Sequence, residues 1–309
     1  MDEIDIRLIQ VLMMNARTPY RELASELSIS LQSVHRRIQM MMESGVIKGF
    51  TASVSPSYLG AVAIDVIGRS NATDIDEVVR RLGASEFTKD ILLGAGNYVT
   101  IPALLKRNSD LEPYLQFLID NGQLSDVWMG MESFGFAGKR RVEDEAESGD
   151  LTPLDFRIVN SLRADSRKPV NQVADEVGVS SKTVARRLDR MIEERKISLY
   201  IKWYPGMTSG VISFLLIHLK QGADKKALAV RLTNRYSPRI VFLRSYSNHP
   251  DVFGAISWTP TPVQQNELTN ELTKEDTVKN VVPFVLLRKF EFQTWVDDLI
   301  SSKAARRES

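Results

Sequence analysis

Residues 5–47 read DIRLIQVLMMNARTPYRELASELSISLQSVHRRIQMMMESGVI, and the pattern returns at 155–197 as DFRIVNSLRADSRKPVNQVADEVGVSSKTVARRLDRMIEERKI. The two stretches align without a gap at a constant offset of 150 residues. This period exceeds the roughly 20 to 50 residues of solenoid repeats, so it indicates duplication of a whole multi-element unit. Identical pairs include Asp5/Asp155, Arg7/Arg157, Arg17/Arg167, Pro19/Pro169, Ala24/Ala174, Ser30/Ser180, Val34/Val184, Arg36/Arg186 and Arg37/Arg187. Whatever one unit does, the chain is expected to do with two.

The bulk composition is that of an ordinary globular protein. A chain of 309 residues has room for two to four domains of roughly 100 to 150 residues each. It contains no cysteine, which excludes disulfides, thiolate metal sites, iron–sulfur clusters and cysteine nucleophiles. A net charge of +1 argues against a non-specific polycation, although binding depends on where the charges lie.

The ends and the apolar stretches carry no membrane signal. The first residues, MDEIDIRLI, are acidic and lack the basic and apolar regions of a signal peptide. The apolar stretch 211–219 is interrupted by Ser213 and His218 and is shorter than the roughly 20 residues that span a bilayer. We therefore expect a cytoplasmic protein without a membrane partner.

Each copy opens with a three-helix pattern. Helix two is expected to start at Thr18-Pro19, with Thr as its cap, and the turn that follows holds Ser30 as the next cap. Helix three is predicted over about 31–44 and about 181–195. The segments VIKGFTASVSP and KISLYIKWYP then alternate as short strands, which favours a β wing in each copy.

The remainder of each copy reads strand, helix, strand, strand, helix, strand, which is typical of a ferredoxin-like βαββαβ domain. The predicted fold class is therefore α+β, with two winged helix-turn-helix domains alternating with two ferredoxin-like domains. The predicted boundaries are a winged helix-turn-helix at 1–56, a ferredoxin-like domain at 57–138, an acidic linker at 139–150, a second winged helix-turn-helix at 151–206, and a second ferredoxin-like domain with a C-terminal helix at 207–309.

The third helix of each copy is a candidate DNA-reading element. At 100° per residue, Val34, Ile38 and Met41 form one stripe that must face the core, as do Val184, Leu188 and Met191 in the second copy. Arg and Lys can donate to guanine in the major groove, and Gln can bond adenine in both directions. The predicted DNA-binding residues are the outward-facing Gln32, Arg36 and Gln39 with Ser33 and His35 beside them, and Lys182, Arg186 and Arg190 with Thr183 beside them.

Two arginines of this helix are assigned a structural role instead. Arg37 and Arg187 lie nearer the core flank of the wheel, and we expect each to pair with the aspartate of its own first helix, Asp5 or Asp155. The second copy, with three outward cations, is expected to contribute more salt-dependent affinity for the DNA backbone, and the first copy more uncharged base reading.

The order of elements resembles the Lrp/AsnC family of prokaryotic transcription regulators. The resemblance is carried by residues 5–18, by RELASELSIS, by VHRRIQMMMESGVIKGF and by LDFRIVNSLRADSRKPVNQVADEVGVSSKTVARRLDRM. It implies dimers joined through the regulatory domains, larger homo-oligomers, and a small effector, commonly an amino acid. Because this chain holds two copies, it is predicted to imitate the family's dimer with two unlike reading heads and so to bind an asymmetric site in double-stranded DNA.

The resemblance places the candidate effector contacts at a turn of the first regulatory domain. In the family this turn reads Gly-Asp-Tyr-Asp, and here it supplies Gly94, Gly96, Asn97 and Tyr98. Asn97 and Val99 replace the two acids, so a plain hairpin turn is the competing interpretation, because Gly and Asn are default turn residues.

Two other functions compete. Sirohaem decarboxylases share the fold and also occur as fused pairs, but they are expected to use His and Arg near the sheet turns and a basic pair at the wing. This chain has only His35, His218 and His249, and its wing reads Ile47-Lys48-Gly49-Phe50. A DNA-architectural protein without an effector is the third interpretation. No Ser/His/Asp set, phosphate loop or His-x-x-x-His pair is present, so no catalytic residue, metal site or cofactor is predicted.

Overall fold

The computed structural model describes residues 1–138, the backbone of 140–142, and residues 149–306. Most of the predicted linker, including the acidic residues at 143–147, therefore lies outside the described residues. The elements of the first copy are α1 (Glu3–Met14), α2 (Tyr20–Leu27), α3 (Leu31–Glu43), β1 (Ile47–Val54), β2 (Val62–Ser70), α4 (Ile75–Leu82), β3 (Asp90–Gly94), β4 (Tyr98–Leu105), α5 (Leu111–Gly122), β5 (Leu124–Ala137) and β6 (Arg140–Val142).

The second copy repeats the order from α1 to β5 and then ends in a helix instead of a short strand. Its elements are α6 (Pro153–Leu162), α7 (Val170–Val177), α8 (Ser181–Glu193), β7 (Ile197–Trp203), β8 (Val211–Leu219), α9 (Lys225–Tyr236), β9 (Ile240–Tyr246), β10 (Val252–Thr259), α10 (Pro262–Thr273), β11 (Val278–Glu291) and α11 (Trp295–Ala304). None of the described helices is long and apolar enough to cross a membrane.

The turn between the second and third helices forms as its residues predict. Ser28 ends α2 at φ 54°, and Gly178 ends α7 at φ 75°, both in the left-handed region that such a turn requires. Ser30 then accepts a hydrogen bond from the backbone N–H of Ser33 at 3.1 Å, and Ser180 does the same for Thr183 at 3.2 Å. These caps fix the start of each third helix.

One cap prediction was wrong. The residue that precedes α2 is Pro19, and no side chain caps this helix. The hydroxyl of Thr18 instead donates backwards to the carbonyl of Asn15 at 2.8 Å, because it is buried in the bend that joins α1 to α2.

The inward stripes of the third helices lie in the core as predicted. In α3 the exposed fractions of Val34, Ile38 and Met41 are 3% or less, and those of Val184, Leu188 and Met191 in α8 are 4% or less. Burial of each such side chain stabilises the fold by about 1.5–3 kcal/mol. The outward face of each helix is thereby fixed by packing against its own module.

The wing strands do not form separate wings. β1 pairs in antiparallel fashion with β7, so the two DNA-binding modules share one two-stranded sheet. Phe50 pairs with Ile201 and Thr51 with Tyr200, which at the offset of 150 residues is a self-complementary register. The two modules are therefore related by an approximate twofold axis that passes through this sheet.

The regulatory sheets also join across the two copies. The first domain has the order β5-β2-β4-β3 and the second has β11-β8-β10-β9, as a ferredoxin-like fold requires. The last strand of each is 14 residues long; its first part pairs within its own domain, and its second part pairs with the other domain, β5 with β9 and β11 with β3. Apart from the short β6, each of the other eight strands of the two domains thus has at least two partners, with β6 as a third partner of β5, and these eight strands close on themselves.

Charged residues meet where the two regulatory sheets face each other. Arg244 of β9 donates to Asp65 of β2 at 2.9 Å and also bonds Glu132 of β5. The hydroxyl of Tyr246 donates to the same Asp65 at 2.7 Å. Asp65 is 1% exposed, so these bonds supply the partners that a buried carboxylate needs and tie the first domain to the second.

Candidate nucleic-acid interface

The outward face of α3 is available to solvent. Gln32, His35, Arg36 and Gln39 are exposed, and Ser33 is half-buried because it lies over the N-terminal cap. The ring of His35 packs edge-on against Tyr20 at 4.5 Å between centroids, and Gln39 donates to Glu43 at 2.8 Å. Arg36 makes no ion pair with another described residue, so its guanidinium is the available cation of this face.

The outward face of α8 differs from its predicted form. Lys182 and Arg186 are exposed and make no ion pair with another described residue, and Thr183 is half-buried. Arg190, however, donates to Asp155 of α6 at 3.1 Å. Its guanidinium is therefore held by the first helix of its own module, and the second copy offers two unpaired cations where the wheel predicts three.

The two structural arginines lie where they were expected. Arg37 donates to Asp5 at 2.7 Å, and Arg187 donates to Asp155 at 3.0 Å. Burial alone would lower the pKa of Arg37, but hydrogen bonds to Asp5 and Asp2 outweigh it and raise that pKa. Both arginines are thus committed to joining the third helix to the first.

A reciprocal pair of arginines links the two modules. Arg17 donates to the carbonyl of Ser166 at 2.7 Å and to that of Lys168 at 2.9 Å. Its counterpart Arg167 donates to the carbonyls of Ala16 at 2.5 Å and Thr18 at 3.3 Å, and lies 4.2 Å over the ring of Tyr20. Burial lowers the pKa of both arginines, which nevertheless stay cationic because a guanidinium loses its proton only far above neutral pH.

This cross-link has a direct consequence for the recognition helices. Each arginine lies just before the second helix of its module, so the bonds fix the start of one helix-turn-helix against the other. Sequence reasoning did not assign these residues a role. The sequence did carry a signal for them: both positions are arginine at the offset of 150 residues. Residues that bond reciprocally across a twofold axis occupy equivalent positions in the two copies.

The candidate effector turn has a backbone explanation. Gly96 has φ 72° and Asn97 has φ 61°, the left-handed conformation that favours these residues. A Cβ at Gly94 would lie 2.9 Å from the carbonyl of Val285, so β11 requires glycine there. Tyr98 packs edge-on against Phe284 at 4.9 Å. Each of the four residues therefore has a structural role, and effector contact stays a prediction.

Comparison with known proteins covers both copies. Residues 1–48 match the profile of winged helix-turn-helix DNA-binding domains, and residues 151–192 match that of AsnC-type helix-turn-helix domains. The transcriptional regulator Ptr1 of Methanocaldococcus jannaschii is 30% identical over 122 residues, which cover 80% of that protein and 39% of this chain. The chain belongs to the Lrp/AsnC family of transcriptional regulators.

Other relatives in this family also match between a third and a half of the chain. The transcriptional regulator LrpA of Pyrococcus horikoshii is 29% identical over 110 residues, 78% of its length and 35% of this chain. The regulatory protein AsnC of Haemophilus influenzae is 29% identical over 139 residues, 92% of its length and 43% of this chain. These shares are what a doubled Lrp/AsnC chain predicts.

One solved structure resembles the whole chain. The siroheme decarboxylase NirDL aligns with a TM-score of 0.59 over 97% of this chain and 99% of its own, at 14% sequence identity. At that identity the likeness concerns the fold alone. It shows that the full order of elements, with both copies joined, occurs in another protein.

Proposed function

We propose that this protein is a DNA-binding transcriptional regulator whose single chain presents two unlike recognition helices, α3 and α8, to the two halves of one operator. The Lrp/AsnC membership supports the regulatory function. The exposed Arg36, Lys182 and Arg186 support contact with DNA, because their side chains make no ion pair with another described residue.

The observation that carries the two-headed form is the link between the modules. The β1–β7 sheet and the bonds of Arg17 and Arg167 join the helix-turn-helix units around an approximate twofold axis. An approximate twofold axis on the protein favours two inverted half-sites on DNA. Because the exposed faces of α3 and α8 differ, the half-sites are expected to differ in sequence.

A linked pair of heads also has an energetic advantage. Once one head is bound, the second meets its half-site as an intramolecular event at a high effective concentration. A doubled chain therefore binds at low protein concentration without first assembling a dimer. Further association between chains is part of the proposal, since Lrp/AsnC proteins form larger homo-oligomers.

A small effector such as an amino acid is the remaining element of the proposal. The contacts predicted for it are Gly94, which is buried, and Gly96, Asn97 and Tyr98, which are exposed or half-exposed in the turn beside β11. A change in operator affinity on addition of single amino acids is the expected result, and the same change in an Asn97→Ala variant would count against this turn.

Selection of binding sites from sheared genomic DNA tests the proposal. We expect one enriched asymmetric motif for the wild-type chain, with one half lost in Arg36→Ala and the other half lost in Arg186→Ala. Lys106→Met is the matched control, because Lys106 pairs with Glu86 on the regulatory domain. Enrichment no greater than that of input DNA would contradict the proposed function.

The rival enzymatic function is tested in parallel. The whole-chain likeness to a siroheme decarboxylase concerns the fold, and the three histidines of this chain lie on different elements. His35 lies on α3 and His218 on β8, whereas His249 stacks on Trp128 and its Nε2 lies 2.9 Å from the carbonyl of Met129. An absorption change on addition of a tetrapyrrole, together with failure of DNA selection, would favour the enzyme.

A further inference from the structure

A cavity of about 600 Å³ lies between the DNA-binding half and the regulatory half of the molecule. Its volume falls within the roughly 300–1,000 Å³ of small-molecule sites. One wall is the β1–β7 sheet, where Thr51 pairs with Tyr200 and Ser53 with Ser198. The opposite wall is formed by Lys89 before β3 and by the chain that leaves β11.

Five charged side chains line this cavity, three cations and two carboxylates, so their charges do not balance. Lys202 pairs with Glu291 at 2.8 Å, and Arg163 pairs with Asp297 at 2.7 Å. Lys89, the fifth such group, has no carboxylate within ion-pair distance among the described residues. Among the described residues that line the cavity, Lys89 is therefore the one cation without an ion-pair partner.

Backbone hydrogen bonds hold Lys89 on one wall of the cavity, and its side chain extends towards the opposite wall. The N–H of Lys89 donates to the carbonyl of Pro102 at 3.1 Å, and its carbonyl accepts from the N–H of Phe292 at 2.9 Å. From this anchored position its Nζ reaches to 5.2 Å from the ring centroid of Tyr200 on the opposite wall. Tyr200, with Asp90 and Glu132, raises the pKa of Lys89 against the effect of burial, so the lysine stays charged.

Neutral donors lie beside this cation. The hydroxyls of Tyr200 and Ser198 line the cavity and make no hydrogen bond to another described residue. In β7, Ser198, Tyr200 and Lys202 are half-exposed and alternate with fully buried residues. The period of the strand thus places all three on the cavity face.

We propose that this cavity binds a small organic carboxylate, with Lys89 as its counter-ion and the hydroxyls of Tyr200 and Ser198 as neutral hydrogen-bond partners. A single negative charge matches the one unpaired cation, and a carboxylate accepts hydrogen bonds from both kinds of donor. This site is separate from the turn at Gly94–Tyr98, none of whose residues lines the cavity.

The position of the cavity gives the ligand a regulatory consequence. A carboxylate between Lys89 and Tyr200 would touch both the regulatory sheet and the sheet that joins the two heads. If DNA binding shifts these sheets relative to each other, it changes the affinity of the cavity for the ligand. Thermodynamic linkage then requires the ligand to change the affinity for DNA by the same factor. This regulatory part rests on the proposed function, whereas ligand binding does not.

Calorimetry and thermal unfolding of the full chain test the site, with acetate, pyruvate, 2-oxoglutarate and the twenty amino acids as probes. We expect at least one carboxylate to bind and to raise the unfolding temperature, while the corresponding amide, which lacks that carboxylate charge, does not. Lys89→Met should weaken that binding at least tenfold, and Lys89→Arg should restore it. Lys106→Met is the matched control and should bind as the wild type does.

Several outcomes would overturn the site. The first is that no carboxylate binds, and the second is that an amide binds as tightly as its acid. The others are that Lys89→Met binds the carboxylate as tightly as the wild type, or that Lys106→Met loses as much affinity as Lys89→Met. If Lys89→Met fails to fold, Lys89→Arg and Tyr200→Phe decide, since Tyr200→Phe should weaken the binding several-fold and equal binding by it would count against the site. Carboxylate binding without DNA selection would contradict the proposed function while leaving the site intact.

Discussion

The first and second helix-turn-helix modules hold their third helices by opposite charge arrangements. In the first, one arginine, Arg37, bonds two carboxylates, those of Asp2 and Asp5. In the second, one carboxylate, that of Asp155, bonds two arginines, Arg187 and Arg190. The comparison teaches that the third helix is held against the first by different ion pairs in the two modules. These ion pairs determine which cations of the third helix are available to contact DNA.

The difference originates at two aligned positions. At the offset of 150 residues, Asp2 of the first copy becomes Thr152, and Met40 becomes Arg190. The first module thus gains a carboxylate at the start of α1, while the second gains a cation on α8. Met40 is 45% exposed and carries no charge, so the first head has no counterpart of the bond between Arg190 and Asp155.

The largest expected effect comes from removing the shared carboxylate. Asp155 is 0% exposed and also accepts bonds from the backbone N–H and hydroxyl of Thr152. Asp155→Asn should lower the free energy of unfolding by about 3 kcal/mol, because it removes the buried negative charge that both arginines bond. Urea denaturation measures this loss.

The matched substitution in the first copy is Asp5→Asn. Asp2 still bonds Arg37 in that variant, so we expect a loss of about 1 kcal/mol. Equal losses in the two variants would mean that the opposite charge arrangements have no energetic consequence.

An intermediate effect is expected in the salt dependence of DNA binding. Each phosphate contact contributes about 0.9 to the slope of log affinity against log salt. Arg36→Ala should reduce the slope by about 1, and the double variant Lys182→Ala with Arg186→Ala by about 2. Fluorescence anisotropy at several salt concentrations gives both slopes, and equal reductions would contradict the assignment of more backbone contacts to the second head.

The smallest effect is expected for Arg190. Its side chain is 45% exposed and its guanidinium bonds Asp155, so Arg190→Gln should lower the free energy of unfolding by about 0.5–1 kcal/mol. The salt slope should stay at the wild-type value. A salt slope reduced by about 1 in this variant would mean that Arg190 contacts DNA after all.

The sequence predicted those features that depend on local periodicity. The apolar stripe of α3 and the pairing of Arg37 with Asp5 follow from helix geometry and short-range contact, and both were confirmed. The partner of β1 could not be predicted, because an alternating pattern indicates a strand but does not name its neighbour. A helical wheel likewise shows that Arg190 points outward, but it does not show that Asp155 of α6 lies within bonding distance.

Features that depend on the relation between the copies were also missed. The second parts of β5 and β11 pair with the other domain, which no single-domain pattern indicates. The bonds of Arg17 and Arg167 and the cavity around Lys89 arise only when distant segments meet. These long-range features are the ones that make two modules into one two-headed molecule.

Exchange of one reading face tests the central claim most directly. Lys182→Gln, Thr183→Ser, Ala185→His and Asp189→Gln together give α8 the polar face of α3, since Arg36 and Arg186 are already identical. If the two heads lie about a twofold axis and read DNA separately, selection with this variant should convert the asymmetric motif into an inverted repeat of the first half-site. An unchanged asymmetric motif would contradict the account.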